Sequence, residues 1–171
     1  MVRRLALLVA CLAVSFSCQA DDAVRRELQG RYDRASAEAV AAKTYADAEA
    51  THRWLDTPDC TYTNTGQPTR SWTQMRRDVE AGLRTRLVGF KTTLESLDVK
   101  DDVAIATATV RGTARVTDER GDFGARGAAH DIVTTAKVRD VWVRAVDGWR
   151  RKSHEKIEPN RITEVDGKPR L

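Results

Sequence analysis

Asp140, Glu155 and His130 are the side chains whose types and placement could move a proton. The first two lie in Arg139 to Ile157, RDVWVRAVDGWRRKSHEKI, which alternates like a β-hairpin around Asp147-Gly148. Asp-Gly is a strong two-residue turn signal, because both central residues of a type I′ turn take positive φ. That loop sets Val146 against Trp149, Arg144 against Arg151, Trp142 against Ser153, Asp140 against Glu155 and Val138 against Ile157, all on one face. Two carboxylates held opposite each other repel, which raises the pKa of one and suits it to acid–base work near neutral pH.

The same face carries Trp142 and Trp149 as apolar walls and Arg144 and Arg151 as polar anchors, a mixture that ligand pockets use. The plainer reading makes the tryptophans core and lets the arginines reach the rim. His130 is in phase with Trp142 along one strand and would share its face, either as a base or as a hydrogen-bonded structural residue. Tyr32 and Tyr62 offer hydroxyls to steady a developing oxyanion. His154 falls on the other face, beside lysines, as a surface or interface residue. A register slip of one residue would reverse one strand's assignment.

These side chains need elements to position them. Val24, Leu28, Tyr32, Ala35 and Ala39 recur at helical spacing, and a first helix is expected to Ala42. A second is expected over Tyr45 to Leu55, and Pro58 then gives way to a strand from Asp59 to Asn64. Ser71-Trp72-Thr73-Gln74 has the form of a capping box opening a third helix that runs to about Arg84. From Val88 the period changes to two, giving four strands of an antiparallel meander. Asp101-Asp102 and DERGDFGARG supply its first two turns, so Arg120-Gly121-Asp122 reads as turn sequence. The tail after Glu158 reads as a loose terminal arm.

Helices, one strand, a capped helix and a long meander resemble, in that order, the nuclear transport factor two-like superfamily, specifically its SnoaL-like branch. LDTPDCTYTNTGQPTRSWTQM is similar to that branch's aspartate, strand, turn and capped-helix passage, and DVWVRAVDGWRRKSHEKI to its closing hairpin. The resemblance covers residues 21–158. It implies an α+β fold: a cone-shaped barrel of three N-terminal helices packed on a strongly curved antiparallel sheet, enclosing a pocket, often within a homodimer. The superfamily includes cyclases, isomerases, dehydratases and non-enzymatic modules, so fold alone names no activity.

The chain opens MVRRLALLVACLAVSFSCQADD: two arginines, an apolar run from Leu5 to Phe16, and a small-residue site at Cys18-Gln19-Ala20. That succession is a secretory signal, residues 1–20, and predicts a periplasmic or secreted protein. The run is shorter than the roughly 20 residues a membrane span needs. Cys11 and Cys18 each sit in an imperfect lipobox, leaving a lipoprotein as the alternative and the only expected route to a membrane.

The formal net charge of +4 includes Arg3 and Arg4, and the remaining basic residues are interleaved with acids, so no nucleic-acid partner is expected. Cys60 alone of the cysteines survives cleavage, which excludes an intramolecular disulfide, and it reads as an inert strand residue. His52, His130 and His154 lack ligand-like spacing, so no metal is expected. No Gly-rich phosphate loop or nucleophile elbow occurs, and no cofactor is expected. Three functions therefore compete: a pocket for a small, largely apolar ligand; an isomerase- or cyclase-type enzyme using a pocket carboxylate or histidine; and a dimeric interaction module built on Val141 and Val143.

Overall fold

The computed structural model describes the backbone of residues 2–170 and the side chains of residues 21–170. The expected export signal, residues 1–20, and both cysteines of the expected lipoboxes fall among residues whose side chains lie outside that description. Helix α1 runs from Val2 to Ala41. Val24, Leu28, Tyr32 and Ser36 recur every fourth residue on its buried face. Helix α2 spans Tyr45–Leu55 and opens on a capping box in which Thr44 and Asp47 satisfy each other's backbone amides. After strand β1 (Asp56–Thr63) and the two-residue β2 (Arg70–Ser71), helix α3 (Trp72–Leu83) starts on the expected Ser71–Gln74 box.

The meander follows as β3 (Arg86–Lys100), β4 (Val103–Thr117), β5 (Ala129–Ala145) and β6 (Gly148–Val165), with β7 (Lys168–Pro169) beside β6. Strand order is β2-β1-β6-β5-β4-β3. The helices pack on this curved α+β sheet as expected, but the sheet stays open, and β1 runs parallel to β6. The residues after Glu158 are a correction. They continue β6 to Val165, pairing Thr134 with Ile162 and Ile132 with Val165, and turn at Asp166-Gly167 into β7. Asp166 and Gly167 take φ of 49° and 74°, as that hairpin turn requires.

Edge strand β3 is held by α1. Gln29 Nε2 donates to Thr92 O at 2.9 Å, and its Oε1 accepts from Leu94 N at 2.9 Å, closing backbone groups that an edge would leave open. Beneath, Ala104, Ala106 and Ala108 face inward opposite Trp142, Asp140 and Val138, so small residues make room for large or polar partners. Asp118 pins the β4–β5 loop by accepting from the amides of Arg120, Gly121, Asp122 and Phe123, which makes Arg120-Gly121-Asp122 part of a turn.

The β5–β6 hairpin turns at Val146-Asp147, one residue earlier than expected, and Ala145 pairs with Gly148 at φ 103°. A side chain on Gly148 would run into the Arg31 guanidinium and the Glu27 carboxylate. Those groups clamp the hairpin to α1: Arg31 donates to Asp147 O at 2.9 Å and Glu27 accepts from Trp149 N at 3.1 Å.

Candidate functional site

Two features of β6 build the site. The parallel ladder with β1 sets Asp56 beside Arg151 and Tyr62 beside His154. A bulge then inserts Lys152: Trp142 pairs with Arg151 but Val141 with Ser153, so His154 comes to lie opposite Asp140. In a regular strand, Arg151 and His154 would point to opposite faces, and the extra residue brings both inward.

Asp140 is fully buried. Tyr32 donates to its Oδ2 at 2.7 Å, His154 Nδ1 lies 2.7 Å from its Oδ1, and Arg151 Nη1 is 3.7 Å from Oδ2. Asp56, also buried, accepts from Tyr62 at 2.5 Å, from Arg151 Nε at 2.7 Å and from His52 Nδ1 at 2.8 Å. One guanidinium thus stands between two carboxylates, each paired with an imidazole and capped by a phenol. Asp56, Asp140 and Arg151 together leave one negative charge.

Burial alone would push both carboxyls upward. For Asp56 the Arg151 charge, with hydrogen bonds from His52, Arg151 and Tyr62, outweighs it and holds the carboxyl well below the usual range. For Asp140 the charges of His154 and Arg151 and the hydrogen bonds from His154 and Tyr32 do the same. Burial, reinforced by the neighbouring aspartates, pushes the Tyr32 and Tyr62 hydroxyls far above the ordinary phenol range, so both stay protonated. Arg151 is held charged by Asp56 and Asp140 against its burial.

Two cavities meet at this network. The larger, of about 590 Å³, lies between the helices and the start of β3 and is lined by His52, Asp56, Trp72 and Arg151. The smaller, of about 400 Å³, lies over the concave sheet and is lined by Tyr32, Asp140, Arg151 and His154 among apolar side chains. Ala39, Thr51, Leu55, Leu87 and Arg151 line both, so the two share a wall. Ser36 Oγ in the smaller and Trp72 Nε1 in the larger are buried without a hydrogen-bond partner. Trp72 stacks on His52, 4.5 Å between centroids and 8° from parallel.

With Nδ1 turned to a carboxylate, the neutral form of each imidazole would donate there and present its lone pair on Nε2, the arrangement a general base requires. No serine or cysteine is hydrogen-bonded to either ring among the described residues, so a nucleophilic triad is not assembled. Cys60 is buried, and burial pushes its thiol up to about 12. No cluster of three or more metal-ligating side chains occurs among the described residues.

No family model matches the sequence, and no curated protein matches it. Solved structures do. A nuclear transport factor 2-like superfamily protein from Salmonella enterica superposes with a TM-score of 0.57 at 18% identity, over 81% of this chain and 92% of that one. The fold is NTF2-like. An NTF2-like protein of Novosphingobium aromaticivorans gives 0.52 at 19% identity over 90% and 88% of the two chains. A candidate scytalone dehydratase from the same organism gives 0.54 at 15% identity over 82% and 84%.

Within this NTF2-like frame the expected site residues separate. Arg151, Asp140 and Tyr32 come together on the concave face. Glu155 does not face Asp140: it pairs with Arg139 and is half exposed, because the Lys152 bulge reverses the strand's facing beyond it. His130 lies near the far end of β5, 2.7 Å from Asp166, and lines neither cavity. Trp142 and Trp149 are fully buried core, and Arg144 lies over Trp149 at the rim. Tyr32 and Tyr62 donate their hydrogen bonds to aspartates, so neither hydroxyl is free to donate to an oxyanion. His52, Asp56 and His154 were missed. The i, i+4 spacing of His52 and Asp56 at a helix end was a usable signal; for His154 the bulge left none.

Proposed function

We propose that this chain binds a small, largely apolar molecule in the hollow between α1 and the sheet and moves a proton on it, with His154 as base or acid. Asp140 acts through His154, setting its tautomer and steadying the charged imidazole. One observation carries this reading: the 2.7 Å contact between His154 Nδ1 and a fully buried carboxylate, on the wall of a cavity. The protein would work outside the cytoplasm as a homodimer joined through the convex sheet face. The isomerase- and dehydratase-type chemistry known on this fold is compatible with such a pair, but the fold alone selects none of it.

A thermal-shift screen of small carbonyl compounds, followed by NMR of each hit in D2O, tests the reading. Wild type should exchange the acidic C–H of a bound ketone. His154→Gln should bind it within a few-fold yet exchange roughly a hundredfold more slowly, the scale of lost general acid–base catalysis. Binding without exchange by wild type would leave a ligand-binding protein; equal exchange by His154→Gln would remove His154 from the chemistry.

A further inference from the structure

We infer that the ligand carries a terminal carboxylate, held by Lys156 at the mouth of the smaller cavity. This deepens the binding reading and rests on it. Lys156 pairs with the buried Val138 in the row that sets His154 opposite Asp140, and it lines the cavity with the exposed Asn160. The deep end is therefore His154 and Asp140, and the rim is Lys156 and Asn160.

The Lys156 ammonium has no carboxylate and no hydrogen-bond acceptor in reach among the described residues. The acids of β6 and β3 nearest in the sheet lie on its opposite face and are paired there: Glu155 with Arg139, Glu158 and Glu95 with Lys137, and Glu164 with Arg111. Asp140 is taken by Tyr32, His154 and Arg151. The amine is half buried, and that burial alone draws its pKa below the ordinary lysine value. A cation partly removed from water without a counter-ion is a standing cost, which an incoming carboxylate would offset with a charge-assisted hydrogen bond.

The rest of the cavity fits the other end of such a molecule. Phe90, Val110, Ala136 and Val138 supply an apolar wall, and Ser36 Oγ is a buried hydroxyl with no partner. A volume of about 400 Å³ lies in the lower part of the roughly 300–1,000 Å³ that small-molecule sites occupy. His154 and Lys156 are two residues apart on one strand face, roughly 7 Å at the usual rise. The reacting carbon would then lie a few bonds from the carboxylate, as in an oxo acid with an alkyl or aryl body.

Isothermal titration with octanoate and 4-phenylbutyrate, each against its primary amide, tests this. Wild type should bind both acids at least tenfold more tightly than the amides. Lys156→Met and Lys156→Gln should lose that preference while holding the amides within twofold, and Lys156→Arg should keep it. Equal binding of acid and amide by wild type, or a preference that survives Lys156→Met, overturns the inference and leaves the apolar hollow standing. If neither acid nor amide binds at millimolar concentration, the inference and the binding reading fall together.

Discussion

Asp56 and Arg151 meet across the parallel β1–β6 ladder, Nε to Oδ1 at 2.7 Å, and the same guanidinium reaches toward Asp140 at 3.7 Å. Replacing Arg151 by Met would strand two buried carboxylates. Urea denaturation should show a loss of roughly 3–5 kcal/mol, the scale of breaking a buried pair from one side. A loss below about 1 kcal/mol would mean that the carboxylates find water or another partner.

Tyr32→Phe removes the donor to Asp140 and the acceptor of Trp142 Nε1 at 3.4 Å. Stability should fall by about 1–3 kcal/mol, the cost of unsatisfied buried groups. A catalytic defect with unchanged stability would instead mark the hydroxyl as an oxyanion donor.

Asp56 and Asp140 are both held below the ordinary aspartate value of 3.8. Their contribution to stability is therefore complete above that value and is lost as pH falls through the lower folded values. Denaturation midpoints should be insensitive to these groups above about pH 5 and fall steeply below about pH 4. Asp56→Asn should be less stable near neutrality but show a shallower acid slope.

Val103 faces Val143 and Ile105 faces Val141 on the convex side of β4 and β5, with Val103 and Ile105 exposed. Four apolar side chains in adjacent pairs form a patch that a second copy would cover. Sedimentation velocity should show a dimer at micromolar concentration, and Ile105→Asp should shift it to monomer. A wild-type monomer at high micromolar concentration would remove the dimer.

Expression of the whole sequence should yield a mature chain beginning at Asp21 outside the cytoplasm. Intact-mass measurement of the full-length N-terminus in cytosol would contradict export. A lipid adduct on Cys18 would move the protein to a membrane.

Fold and site differ in how far the residues alone disclose them. α2 was readable at both ends, because Leu55 precedes an Asp-Thr-Pro stretch that cannot continue a helix, and α3 because Ser71 and Gln74 satisfy each other's amides. The hairpin misplacement did little harm. Moving the turn by one residue shifts pairing by two, and so keeps Trp142, Asp140, Trp149 and Arg151 on the face expected for them. The bulge did the damage, since one unpaired residue changes the phase and no side chain in RRKSHEKI announces it. Asp56 and His52 depended on a parallel contact between β1 and β6, which lie far apart in the chain, so alternation within either strand could not reveal it.

Lys152 also bears on how such a site compares between chains of different length. It points away from the cavity to an ion pair with Asp59, and nothing in its chemistry serves the interior. It is the additional residue that the bulge accommodates, so that Arg151 and His154 keep one face despite being three positions apart. Removing that codon would let β6 alternate regularly, with Arg151 and His154 two residues apart on one face and His154 still opposite Asp140. The same site is thus open to a chain of the same architecture that is one residue shorter and has no bulge. An alignment that closes this gap would set His154 against a surface residue and hide the resemblance between two homologues that share the same dyad.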